Sequence, residues 1–88
     1  MAKIVIYSKK ICPYCVQAKN LLKRKGISDF IEIDITQGSF KEEMIEKSGG
    51  KMTVPQIFIN DKHIGGFDDL YALDKAKKLD DMIFDSWK

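Results

Sequence analysis

The chain predicts an α/β fold of order βαβαββα, a mixed four-stranded sheet flanked by helices. Three observations carry this reading. Two short runs rich in Ile and Val, residues 3–7 and 30–35, enclose a segment with helical periodicity. A second pair of apolar runs, 56–59 and 62–64, is separated only by the turn formers Asn60 and Asp61. Between the first strand and the first helix stand Cys12 and Cys15, the only cysteines, three positions apart.

Each element follows from its own residues. Ile4, Val5 and Ile6 form a short apolar run suited to a buried strand over residues 3–7. A helix runs from Pro13 to about Lys25: proline has no N–H to lose at a first helical position, and its fixed φ suits a start. Cys15, Ala18, Leu21 and Leu22 recur at helical spacing with lysines between them, and Gly26 ends the helix. Residues 30–35 alternate and make the second strand, which the crossover helix sets parallel to the first.

Thr36 to Ser39 form a loop, and Ser39 with Glu42 fits a capping box for a second helix reaching about Lys47. Phe40, Met44 and Ile45 belong on its inner face, and Ser48, Gly49 and Gly50 stop it. Thr53-Val54-Pro55 leads into the third strand, and the fourth returns antiparallel. Gly65-Gly66 breaks the hairpin, and Asp68 or Asp69 begins a third helix with Leu70, Leu73 and Ala76 inward. Residues 79–88 have room for a short terminal helix, with Met82, Ile83, Phe84 and Trp87 as cover for remaining apolar surface. A parallel pair joined to an antiparallel hairpin, with helices on both faces, is the thioredoxin-like architecture.

At 88 residues the chain is one domain, residues 1–88, long enough for a single core. Hydrophobic residues at 44% and charged residues at 32% are ordinary for a globular protein. Fifteen Lys and Arg against thirteen Asp and Glu leave +2, too little to argue for nucleic acid. The first apolar run is too short for a signal peptide, and no stretch approaches a membrane span. The expectation is a cytoplasmic protein without membrane contact, in a reducing compartment where a dithiol cycles.

A C-x-x-C between a strand and a helix reads as a dithiol redox site, because residues i and i+3 share a helix face and their sulfurs can meet. Cys12 falls near the N-cap, where the amides of Tyr14 and Cys15 and the helix dipole would stabilise negative charge on its sulfur. The thiolate is the nucleophile. A structural disulfide is the weaker reading, since so short a loop constrains the unfolded chain little. A metal site within one chain lacks ligands: two cysteines and a distant His63 stand against the usual four. A cluster shared between two chains stays open. Lys9, Lys10, Lys19, Lys23, Arg24 and Lys25 gather about the motif, mostly as a solvated helix face. Lys9, just before the thiol, is a candidate site residue, whereas His63 on the hairpin reads as exposed.

Cys12-Pro13-Tyr14-Cys15, Thr53-Val54-Pro55 and Gly65-Gly66-Phe67-Asp68-Asp69 occur together, with the same order of elements between them over the full length. In this the chain resembles the glutaredoxins, of the dithiol class and short bacterial type. The resemblance implies a glutathione-dependent thiol–disulfide oxidoreductase with Cys12 as nucleophile and Cys15 as resolving cysteine. It implies a cis bond before Pro55 that turns the Val54 N–H and C=O toward a cysteinyl peptide.

The same resemblance implies a glutathione site of Tyr14, Thr53, Val54, Pro55, Gly66, Phe67 and Asp68. Third-helix amides would meet one carboxylate and Asp68 the glutamyl ammonium. The glycyl carboxylate would meet Lys9 and a second-helix cation, for which Lys41 fits, the stretch Gly49 to Met52 carrying one extra residue before Thr53. The resemblance implies no bound cofactor and no metal, with glutathione as a co-substrate. Implied partners are protein disulfides, glutathionylated proteins and, indirectly, glutathione reductase, the protein itself acting as a monomer. Phe67 also resembles redoxins that thioredoxin reductase reduces and that serve ribonucleotide reductase, but Asp68-Asp69 stands where those continue with Arg-Pro. The other alternative, an iron–sulfur cluster carrier, is disfavoured by Pro13, where such members have Gly or Ser.

Overall fold

Strand β1 (Ile4–Ser8) leads into helix α1 (Pro13–Arg24), followed by β2 (Phe30–Asp34) and α2 (Phe40–Lys47). The hairpin β3 (Gln56–Ile59) and β4 (Lys62–Gly65) comes next, then α3 (Phe67–Lys75) and α4 (Leu79–Phe84). A computed structural model describes residues 3–84. The four strands form one sheet in the order β2-β1-β3-β4. β1 pairs parallel with β2, from Ile4 opposite Phe30 to Ser8 opposite Asp34, and antiparallel with β3. The predicted mixed sheet and thioredoxin-like layering are present, and α4 is the short terminal helix for which residues 79–88 had room.

Local chemistry explains the ends. Past α1, Gly26 takes φ +82; its N–H bonds the Lys23 carbonyl and the Ile27 N–H bonds that of Leu22. This paired closure satisfies the last helical carbonyls and carries Ile27 into the core. Asn60 and Asp61 both have positive φ, 52° and 67°, which matches the twist of the strands they join. Lys25 Nζ meets Asp74 at 2.7 Å and Asp80 at 3.0 Å, fastening the end of α1 to α3 and α4.

The sheet's two faces differ in content. One holds the aliphatic core: Ile4, Ile6, Ala18, Leu21, Leu22, Ile27, Ile57, Ile59, Leu70, Leu79 and Ile83. The other, beneath α2, holds Tyr7, Met44 and Phe58. Among the described residues no helix is long and apolar enough to cross a membrane.

Four expectations are corrected. Ser39 is the N-cap of α2, but its ψ of 21° is not extended and its side chain makes no cap bond, so the capping box with Glu42 does not form. Phe40 is 41% exposed, because the first residue of α2 lies over an open groove beside Ile31 and Ile33. Helix α3 begins at Phe67 with Gly66 as N-cap, and Asp69 accepts the Gly66 N–H at 3.1 Å. Ala76, the C-cap of α3, is exposed, while Leu79 and Ile83 fill the core instead. The expected cover from the Phe84 side chain and from Trp87 lies outside the described residues.

Candidate active site

Cys12 is the N-cap of α1, with extended backbone (φ −150°, ψ 101°), and Pro13 is the first helical residue. The Cys12 sulfur accepts the Cys15 N–H at 3.2 Å. Of the two amides expected to reach it, the structure gives this one. The first turn of α1 carries no acidic residue to oppose negative charge there. On its other side the Cys12 sulfur lies 3.8 Å from the Val54 carbonyl oxygen. The Val54–Pro55 bond is cis, and this segment faces the dithiol.

Both thiols are free, but their surroundings differ. Cys12 is 7% exposed and Cys15 only 1%. Burial, then the hydrogen bond with Cys12, pushes the Cys15 thiol up to about 12, against a backbone bond at Lys9 and the Lys19 charge. Desolvation of this kind penalises the charged form. Cys15 is thus held as a neutral thiol behind Cys12, the sulfur at the helix start.

An open groove of about 600 Å³ runs between α1, the cis segment and the start of α3. That size suits a small ligand. Tyr14, Thr53, Val54, Pro55, Gly66, Phe67 and Asp68 all line it. Glycine is required once at its floor: at Gly65, φ is +123° and a Cβ would collide with the Asp69 carboxylate, whereas at Gly66 a Cβ would only touch the Pro55 carbonyl at 3.4 Å. Phe67 stacks on Tyr71 with ring centroids 5.8 Å apart.

The two predicted cations are placed elsewhere. Lys9 borders a separate depression with Lys10, Lys19, Glu32 and Asp34, and Lys41 is exposed in the first turn of α2, away from the groove lining. The lysine that lines the groove is Lys51. Its position is set by Ser48, whose hydroxyl accepts the Lys51 N–H at 3.1 Å and donates to the Lys51 carbonyl at 3.2 Å. Gly49 and Gly50, both at positive φ, let the chain make that turn. This turn brings Lys51 to the groove.

His63, expected to be exposed, is half-buried and also lines the groove. Its Nε2 lies 2.7 Å from Gln56 Oε1, and its ring lies 5.0 Å from that of Phe58. Gln56 had no signal in the sequence beyond its place after Pro55.

The Glutaredoxin family model matches residues 4–64, more than half of the chain and both the dithiol and the cis segment. The chain belongs to the glutaredoxin family. Glutaredoxin 3 of Escherichia coli strain K12 is 52% identical over 83 residues, covering 94% of this chain and 99% of that protein. A glutaredoxin of Pseudomonas aeruginosa is 46% identical over 83 residues, 94% of this chain and 98% of its own. Among solved glutaredoxins, the buckwheat protein in complex with glutathione aligns with a TM-score of 0.85 at 30% identity, covering 96% of this chain and 78% of that one. The glutaredoxin of Brucella melitensis aligns with a TM-score of 0.80 at 49% identity, covering 94% and 89%.

Proposed function

We propose that this glutaredoxin is a glutathione-dependent thiol–disulfide oxidoreductase in which Cys12 attacks and Cys15 resolves. The observation that carries the assignment of roles is the contrast between the sulfurs: Cys12 at the helix start beside the Val54 carbonyl, Cys15 buried and pushed up to about 12. With a glutathionylated protein, Cys12 thiolate attacks the glutathione sulfur and the protein leaves as a thiolate that takes a proton. A second glutathione thiolate attacks the glutathione sulfur held on Cys12, forming glutathione disulfide and restoring the Cys12 thiolate.

With a protein disulfide, Cys12 forms a mixed disulfide and Cys15 then attacks the Cys12 sulfur. The second target thiol is released, leaving Cys12 and Cys15 oxidised, and two glutathiones reduce them. Two of the causes that raise Cys15, its bond to Cys12 and the Cys12 charge, vanish once Cys12 is in a disulfide. Burial, the largest of the causes, remains, so Cys15 becomes easier to ionise at that step only in the part that Cys12 imposed. Glutaredoxins lie at roughly −200 to −230 mV and cytosolic glutathione at roughly −220 to −260 mV, so the exchange is reversible and concentrations set its direction.

In this reading glutathione lies in the groove as co-substrate, with no bound cofactor. The amides of Phe67 and Asp68 take its glutamyl carboxylate, the Asp68 side chain its ammonium and Val54 its cysteinyl backbone. Lys51 meets the glycyl carboxylate in place of Lys41, and Lys9 flanks the thiol from the other side. The protein acts as a cytoplasmic monomer on protein disulfides and glutathionylated proteins, and glutathione reductase closes the cycle.

A coupled assay tests this. Glutathione with glutathione reductase and NADPH supports turnover of a glutathionylated peptide, and thioredoxin reductase with NADPH does not. Lys51→Glu raises the glutathione KM by up to roughly fivefold, the size of a partly exposed charge pair. Efficient reduction by thioredoxin reductase, with no effect of Lys51→Glu, would make Phe67 the better guide and the protein a redoxin of the other kind.

A further inference from the structure

Gln56 is a polar side chain only 3% exposed at the first position of β3. A buried amide must find partners at both ends. Its Nε2 donates to the Thr53 carbonyl at 3.0 Å and lies 3.3 Å from Thr53 Oγ1. A carbonyl oxygen cannot donate, so the Gln56 nitrogen faces Thr53 and Oε1 faces His63. An acceptor 2.7 Å from His63 Nε2 fixes the proton on that nitrogen.

His63 reaches this point because the two-residue turn at Asn60 and Asp61 sets it opposite Phe58, on the sheet face that Gln56 shares with Phe58; the β3–β4 register shifts only beyond that pair, where Ile57 faces Gly65. The Phe58 ring then backs the imidazole at 5.0 Å and is itself held edge-on by Tyr7 at 5.6 Å.

We propose that His63 is a positioning residue: through Gln56 it fixes the Thr53 carbonyl and hydroxyl, and so sets the Thr53–Val54–Pro55 segment on which the substrate docks opposite Cys12. The inference rests on the reading of that segment as the docking edge. Thr53 adjoins Val54, whose carbonyl is 3.8 Å from the Cys12 sulfur, so rotation of the Thr53 peptide moves the groups offered to substrate. With His63 lost, the Gln56 amide keeps one anchored end and is free to turn. The cost falls on binding, because His63 is held to the site through Gln56 and has no part in the sulfur exchange.

Two measurements test it. In the reduced, unaltered protein, long-range ¹H–¹⁵N correlation at neutral pH shows the neutral His63 ring as the Nε2–H tautomer. In the coupled assay, His63→Phe keeps a ring against Phe58 but removes the donor. It raises the KM for a glutathionylated peptide roughly fivefold, the size of one net hydrogen bond, with kcat little changed. Gln56→Leu raises it at least as much, and adding His63→Phe to Gln56→Leu raises it no further. A His63 ring in the Nδ1–H tautomer overturns the proposal. So does an unshifted KM in a folded His63→Phe, or two effects that multiply. If His63→Phe does not fold, the tautomer decides alone. Absence of glutathione turnover in the unaltered protein would instead remove the proposed function, which a KM shift confined to the variants cannot do.

Discussion

The two faces of the sheet are built on different principles. Beneath α1, α3 and α4 the buried side chains are aliphatic: Ile4, Ile6, Leu21, Leu22, Ile57 and Leu70 are each at most 2% exposed. Beneath α2 the buried residues are Tyr7, Met44 and Phe58, and polar groups are tied into them. The Tyr7 hydroxyl donates to Glu43 at 2.8 Å, and His63 and Gln56 continue the row toward Thr53. An aliphatic face gains stability from area alone and tolerates no polar atom. An aromatic and polar face holds side chains in fixed directions, which a docking edge requires. The comparison teaches a separation: most of the stability comes from one face and the aim of the cis segment from the other.

The largest expected effect tests the first half of that statement. Leu70→Ala removes a fully buried side chain from the aliphatic core and lowers unfolding free energy by about 2–5 kcal/mol, read by urea denaturation. Below its transition the variant keeps the glutathione KM of the unaltered protein. A raised KM in folded Leu70→Ala would break the separation.

The second expected effect is smaller and lies on the other face. Tyr7→Phe loses the bond to Glu43 and about 1 kcal/mol of stability near neutral pH. It also changes the alkaline limb. Burial first, then the Glu43 bond, raises the Tyr7 hydroxyl from 10.0 to about 12. The folded protein binds that proton more tightly than the unfolded chain, so its contribution is full below pH 10 and is lost as pH rises toward 12. Denaturation midpoints measured between those values should fall with pH in the unaltered protein and fall less in Tyr7→Phe. Parallel curves would show that the hydroxyl has no linked role.

The smallest expected effect is at the sheet's edge. Glu32 accepts from Ser8 at 2.7 Å and pairs with Lys19 at 2.9 Å, and these bonds hold its carboxyl below its ordinary 4.5. A depressed carboxyl contributes stability above its unfolded value and loses it as pH falls through the folded one. Glu32→Gln should cost under about 1 kcal/mol at neutral pH, because the pair is partly exposed, and should flatten the decline below pH 4.5. An unaltered acid limb would place that decline on other carboxylates.

How much of this the sequence disclosed depended on range. The strands, α1 and its glycine end, the hairpin and the dithiol were legible because period, spacing and turn chemistry are local signals. The start of α3 was missed by one or two residues because its cap is Gly66, held by the side chain of Asp69 rather than by one of its own. Phe40 was placed inward because helical spacing cannot say how much sheet lies beneath a two-turn helix. That Lys51 lines the groove has no sequence signal, because the loop's path depends on Ser48 holding the Lys51 backbone at both ends, which no periodicity reveals. His63 and Gln56 carry no such signal either: their contact depends on how the two side chains turn toward each other across the hairpin, with Gln56 Oε1 2.7 Å from His63 Nε2.

The claim that Cys12 is the attacking sulfur, sufficient by itself with glutathione, is tested most directly by Cys15→Ser. Its rate on a glutathionylated peptide, with glutathione, glutathione reductase and NADPH, should stay close to that of the unaltered protein, while Cys12→Ser is inactive and reduction of dithiol-dependent protein disulfides is lost. A Cys15→Ser protein that folds but cannot turn over the glutathionylated peptide would contradict the assignment of the two cysteines.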